Sequence, residues 1–275
     1  MKGIRQFLLE SLDFFYQLYV NRMLILNLSF RDFEKKYIKN YFGFIWAILD
    51  PLAFVLILYL VFRNRFSSAD PGETPYVVYL ITGYVAYDAF CGSLRSITSC
   101  INDHSFLLKK VNFRSAILPI VTLFSHLMVH GIVLAICIII LLFNNTFPDL
   151  FWFQLVYYII AMSVLLICIG WLTSSIYLFF PDIYNIVGII THALLFLSPV
   201  FWNMQGLEIR DQFILKLNPL YYIVNGYRES LIYHQGFWTH PVLTIYFWSF
   251  CLIALIIGVA VFKKLRPHFA DVASS

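Results

Sequence analysis

Two histidines four residues apart, His126 and His130, and three charges set in otherwise apolar sequence, Asp50, Asp88 and Arg95, are the side chains with chemistry to offer. A spacing of four puts both imidazoles on one helical face, where they could hold a metal or a haem. The intervening HLMVH lacks the Glu of the HExxH signature and has no acidic neighbour in sequence, so polar packing between helices is the simpler expectation. His192 stands in a separate apolar segment. Asp88 and Arg95 are seven residues apart, two turns along one helical face and roughly 10 Å by helical rise, too far for a direct pair. A carboxylate inside a membrane span costs about 3 kcal/mol on insertion scales, so it faces protein, water or a partner charge. Asp88 therefore either packs inside a bundle or lines a hydrated path. Asp50 precedes Pro51, which suits the first turn of a helix, and reads as a structural residue near an interface. There is no GxSxG, and the five cysteines show no CxxC or Cys/His spacing. No catalytic residue, no metal ligand and no cofactor of the chain itself is assigned.

The elements that must position these groups are membrane helices. Phe151 to Phe180 runs thirty residues, and Pro241 to Phe262 twenty-two, without one Asp, Glu, Lys, Arg or His. About twenty apolar residues span a hydrocarbon core roughly 30 Å thick. A composition 61% hydrophobic and 12% charged over 275 residues agrees, with a mean hydropathy of +0.78. The unbroken runs lack the alternating polarity of a transmembrane barrel, which leaves an all-α integral membrane protein. Six spans are predicted: Tyr41 to Phe62, Tyr76 to Cys100, Ser115 to Phe143, Phe151 to Phe180, Ile183 to Trp202 and Pro241 to Phe262. The chain thus divides into an N-terminal segment 1–40, an export domain 41–262 and a tail 263–275. With both ends inside, residues 1–40, 109–114 and 263–266 hold thirteen Lys and Arg against five outside, which places the termini in the cytoplasm. No cleavable signal peptide is expected, because charges stud the first forty residues.

Ahead of the first span, Leu8, Leu12, Phe15, Tyr19, Met23, Leu26, Phe30 and Phe33 recur at steps of four and three. That stripe predicts an amphipathic helix, lying either on the inner membrane surface, where Lys35, Lys36 and Lys39 meet anionic headgroups, or on the cytoplasmic face of the protein itself. The outer segment 205–238 carries short apolar stretches broken by Pro219, Gly226 and Gly236 and predicts a re-entrant helical hairpin. Aromatic residues make up 19% of the chain. Most belong at headgroup depth, yet Trp46, Tyr59, Tyr79, Tyr84, Tyr87, Phe196, Phe201 and Trp202 recur through the first, second and fifth spans. Aromatic faces stack on the C–H faces of sugars, so these could line a glycan conduit.

Five stretches together carry a family resemblance: NYFGFIWAILDPL at Asn40 to Leu52, LLKKVNFRSAILP at Leu107 to Pro119, SPVFW at Ser198 to Trp202, NPLYYIVNGYRESL at Asn218 to Leu231, and KLRPHFAD at Lys264 to Asp271. In this order and at these depths the chain resembles the membrane subunits of ATP-binding-cassette exporters for teichoic acids, O-antigens and capsular polysaccharides. The resemblance implies a permease in the bacterial plasma (inner) membrane that homodimerises and recruits two ATPase subunits, with ATP and Mg bound by those partners. The chain lacks GxxxxGK[ST]. By analogy Phe106, Leu107, Lys109, Lys110, Asn112, Phe113 and Arg114, with Pro181 and Asp182, would couple to the ATPases. Lys109, Lys110 and Arg114 also serve as topology signals. The transport path would be lined by Trp46, Tyr59, Tyr84, Tyr87, Asp88, Phe196, Phe201 and Trp202, along a dimer seam of spans one and five. Asn218, Pro219, Tyr221, Tyr222, Arg228 and Glu229 would form the re-entrant gate. NPLYYIVNGYR, with its aromatic pair, resembles the teichoic-acid branch of the family more than the O-antigen branch, which implies a lipid-diphosphate-linked teichoic acid precursor as cargo, with O-antigen or capsule glycan as the alternative. Asp88 departs from the bulky aromatic expected at its depth. Membrane lipids are the other expected partner and nucleic acid is not. A haem or metal redox protein using the histidines is the competing class, and a secondary transporter the third; the two halves show no internal repeat.

Overall fold

The computed structural model describes residues 20–37, 43, 45–66, 74–108, 114–204 and 207–272. The first half of the predicted amphipathic stripe, the start of the first span at Tyr41, and Lys39, Lys109, Lys110, Asn112 and Phe113 lie outside them. Among the described residues all regular structure is helical. The helices are α1 Arg22–Tyr37, α2 Ile45–Phe66, α3 Tyr76–Asp103, the single turn α4 Ser105–Leu108, α5 Leu118–Phe143, α6 Gln154–Tyr177, α7 Asp182–Leu197, α8 Ile209–Lys216, α9 Pro219–Arg228, α10 Pro241–Leu265 and the short α11 Phe269–Val272.

Five helical stretches, built on α2, α3, α5, α6 and α10, are long and apolar enough to cross a membrane. The protein is thus a multi-pass membrane protein. The fifth predicted span appears as α7, only 16 residues long. It stops at Leu197, and Ser198 to Trp202 form a turn. Pro199 disfavours the α conformation in the residue before it, and Ser198 is extended with ψ 144°. Pro51 also departs from the expectation that it opens a helix. It sits inside α2, where its ring nitrogen has no hydrogen for the Ala47 carbonyl.

The axis of the bundle is α3, which packs against α2, α5, α6, α7 and α9. Of its most apolar window, 78% is buried, against 22% for α2, α5 and α10. Its sequence accounts for this: Val78, Leu80, Ile81, Val85, Phe90, Leu94, Ile97 and Ile101 point in every direction around the helix, so no face is left for lipid. Two apolar cores result. The larger surrounds Tyr79, Tyr158, Tyr222, Tyr227 and Phe247 towards the hairpin end. The smaller gathers Ile25, Ile101, Leu107, Leu118, Trp171, Phe262 and Phe269 at the opposite end.

Candidate functional site

At the end carrying the smaller core, α1 lies against α5. It does not use its apolar stripe to do so. Ile25, Ser29 and Asp32, three residues of one face, are buried, and the Ser29 hydroxyl donates to the carbonyls of Ile25 (2.8 Å) and Val121 (3.0 Å). Met23, Leu26 and Phe30 of the predicted stripe point outward, 68%, 40% and 59% exposed. Small residues at a helix contact let backbones approach closely, which explains the choice of face. Lys36 pairs with Asp32 at 3.0 Å, and His104 Nε2 stands 3.9 Å from the other Asp32 oxygen. His104 is the residue just before α4, so α1 and the α4 turn share one carboxylate.

Within α4, Phe106 is 59% exposed while Leu107 is buried in the smaller core. The same core receives Leu178 and Phe179, which precede Pro181 and Asp182, and Phe269 of the tail, whose ring lies 6.3 Å from that of Phe179. The structure therefore brings two of the predicted coupling segments to one end of the bundle and adds the C-terminal turn, which packs on α4. Pro181, Asp182 and Tyr184 are exposed there, and Arg114 is half-buried.

Between α2, α3 and α5 is a cleft of about 470 Å³. Lys36, Gly43 and Trp46 stand at one side of it. Asp88, His126 and His130 line it with the exposed Asp50, and Ala47, Pro51 and Val133 are among the remaining walls. The Tyr84 hydroxyl donates to Asp88 Oδ1 at 3.4 Å. His130 Nε2 is 2.8 Å from the Tyr227 hydroxyl. Among the described residues, the buried His130 Nδ1 and His126 Nε2 have no hydrogen-bond partner. Among the described residues, no three His, Cys, Asp or Glu side chains converge as metal ligands would. The sequence singled out Trp46 and Asp88 and treated Asp50 and the histidines as packing residues. Nothing local in the sequence shows that three separate helices bring the five together.

The other aromatic residues predicted for a path fall into three sets of ring contacts spaced along α2. Phe54 stacks on Tyr84 (5.2 Å), Tyr84 meets Tyr87 (5.9 Å), Tyr59 stacks on Tyr76 (6.4 Å), and Phe62 stacks on Phe201 (4.9 Å), which meets Phe196 edge-on (5.6 Å). The Trp202 indole donates to the Phe196 carbonyl. Tyr84, Tyr87 and Phe201 are buried in the single chain and Phe196 is 64% exposed. Arg95 donates to the Thr191 hydroxyl (2.9 Å) and the Gly188 carbonyl (3.4 Å) and lies 3.2 Å from His192 Nε2, tying α3 to α7.

The predicted gate residues sit deep in the hairpin end. Asn218 caps α9 by accepting from the Leu220 N–H, with Pro219 in the first turn. Tyr221 and Tyr222 are buried, the latter stacked on Phe247 at 4.5 Å. Arg228 is 2% exposed, its guanidinium donating to the carbonyls of Tyr79 (3.3 Å), Pro199 and Val200 (2.6 Å) and lying 3.6 Å over the Tyr79 ring. Glu229 begins a π-helical turn, Glu229–Tyr233, and faces other partners: the Tyr158 hydroxyl (3.2 Å), the Asn225 amide (2.6 Å) and His240 Nε2 (3.2 Å). Burial raises the proton affinity of the Glu229 carboxyl, and His240, Tyr158 and Asn225 oppose that rise. Gly83 was missed by sequence reasoning, and Gly226, read there as a break, lies inside α9. A Cβ on Gly83 would stand 2.4 Å from Arg228 Nη2, and one on Gly226 2.0 Å from the Tyr158 ring.

A buried helical axis, apolar helices facing lipid and a polar cleft on the flank define a multi-pass helical membrane protein with an internal polar recess. The chain belongs to the ABC-2 type transporter family, which matches residues 23–232. It is similar to an O-antigen export system permease protein RfbA of Klebsiella pneumoniae, with 25% identity covering 90% of this chain and 94% of that protein. An RfbA of Myxococcus xanthus shares 22%, covering 93% and 97%. A polysialic acid transport protein KpsM of Escherichia coli shares 24%, covering 89% and 94%.

Proposed function

We propose that this chain is the membrane half of an ATP-driven exporter that moves a lipid-linked cell-surface polysaccharide from the cytoplasmic to the outer face of the bacterial inner membrane. The observation that carries the reading is family membership over residues 23–232, joined to end-to-end similarity with permeases named for O-antigen and polysialic acid. Those names favour an O-antigen or capsule glycan over the teichoic acid that the sequence motifs suggested first, and teichoic acid stands second.

In this reading α7, roughly 24 Å long, is a sixth span completed by the turn at Ser198 to Trp202. The segment 205–238 is a re-entrant hairpin at the outer face, and Met23, Leu26 and Phe30 of α1 dip into the inner headgroup layer. Two copies associate along the faces of α2 and α7 and work with two ATPase subunits, which bind ATP and Mg. Phe106, the basic segment 109–114, Pro181 and Asp182 meet those subunits. Of the aromatic residues predicted for the path, exposed Phe196 and half-buried Tyr59 and Trp202 give sugar rings weak, repeated contacts along the seam, with the hairpin above it.

Deleting the coding region in its host and restoring it from a plasmid tests the reading. Loss of surface polysaccharide with build-up of lipid-linked glycan inside the cell is expected, and recovery on complementation. A deletion strain with its surface glycans unchanged overturns the proposal.

A further inference from the structure

We infer that the cleft between α2, α3 and α5 is a sugar-recognition subsite: it takes the first hydroxyl-rich ring of a lipid-linked glycan and leaves the diphosphate at its mouth. This rests on the export reading above and adds to it the part of the cargo that this site reads.

The chemistry of the walls decides between sugar and phosphate. Asp50 and Asp88 present carboxylate oxygens, His126 and His130 add imidazole edges to the wall, their Nε2 and Nδ1 atoms respectively buried and without a hydrogen-bond partner among the described residues, and Pro51 leaves the Ala47 carbonyl without its helical donor. Among the described residues, the cationic side chain on the wall is Lys36, which is paired with Asp32 at 3.0 Å. A sugar ring offers several O–H donors to such a set. A diphosphate offers acceptors and negative charge, and inside the cleft it would face two carboxylates in a medium of low dielectric, where like charges repel strongly. The lining therefore excludes the phosphates and admits the ring. Trp46, 53% exposed at the mouth, supplies an aromatic face of the kind that stacks on sugar C–H bonds. The volume of about 470 Å³ lies within the roughly 300–1,000 Å³ of small-ligand pockets, enough for one or two rings and far too little for a polymer. Position fits as well. The mouth lies beside the C-terminal end of α1 and Gly43, at the level where a headgroup held in the inner leaflet would reach the protein, and Tyr84, bonded to Asp88, leads from the cleft into the ring contacts along α2.

The test uses the full chain with its ATPase partner in nanodiscs containing phosphatidylethanolamine, so that an ordinary lipid headgroup is already in competition. Native mass spectrometry reads the binding of two probes, polyprenyl diphosphate carrying one N-acetylhexosamine and polyprenyl diphosphate alone. The wild type is expected to prefer the sugar-bearing probe by about tenfold, the equivalent of about 1.4 kcal/mol. Asp88→Leu and His126→Leu should each cut that preference below about threefold while leaving the sugar-free probe bound as before. Asp50→Leu, at an exposed position, replaces either variant that fails to keep its ATPase partner through purification. Equal binding of the two probes by the wild type, or full preference kept in the variants, overturns the subsite. If the deletion strain loses its surface polysaccharide while the probes bind alike, only the subsite fails. Unchanged surface glycans in that strain remove the export reading itself.

Discussion

At the scale of single residues, the hairpin end is held by close approaches that larger side chains would break. Gly226 lets α9 lie directly on the Tyr158 ring, and the buried Tyr158 hydroxyl in turn donates to Glu229, so neither partner has room to withdraw. Gly226→Ala should cost about 1–3 kcal/mol, the usual cost of overpacking a filled interior. Gly131 on α5 has open space where a Cβ would go. Gly131→Ala should leave stability level or raise it slightly, because alanine favours a helix by up to about 1 kcal/mol over glycine. Thermal unfolding of the purified protein in detergent separates the two. Equal transitions for both variants would show that α9 does not press on Tyr158 in solution.

At the scale of elements, the long spans were legible because their apolar runs exceed the bilayer thickness, a property of composition that tertiary structure does not alter. The end of α7 was not. Its apolar character continues through Val200 to Trp202, and the signal that the helix stops, Ser198 followed by Pro199, was present but outweighed by hydropathy. Pro51 shows the converse error: a proline beside an aspartate suggested a helix start, yet the helix runs through it. The apolar stripe of α1 was visible from its spacing, but its inward face, Ile25, Ser29 and Asp32, is chosen by the close fit to α5 and has no hydropathy signature. In the site, Asp88 stood out as a charge in an apolar run, whereas Asp50, His126 and His130 acquire a role only through contacts between segments far apart in sequence. The α4 turn carries its own prediction. Leu107 anchors it in the smaller core, and Phe106 is left outward for a partner to receive. Phe106→Ala combined with Lys110→Ala should leave the partner ATPase turning over at near its normal rate while export falls several-fold. Export in cells unchanged beside wild type would remove the docking role from this turn.

At the scale of the whole molecule, the bias of Lys and Arg predicts an orientation. α1 and the C-terminal end of α10, which carry Lys and Arg, share one end with α4 and the smaller core, and the turn at Asn144 and Asn145 belongs to the end of α5 remote from it. Alkaline phosphatase fused after Asn145 should be active outside the cytoplasm, and the same enzyme fused after Val272 should be silent; the reverse pattern would invert the molecule. The two ends also differ in how they are tied. Arg228 grips α3 and the turn after α7, and Glu229, the next residue, grips α6 and the approach to α10. The two grips are one peptide link apart, and each is a buried, hydrogen-bonded side chain. One short stretch at the end of α9 thereby clasps α3, α6 and the approach to α10 together, whereas at the far end α1 and the residue before α4 meet at a single carboxylate, that of Asp32.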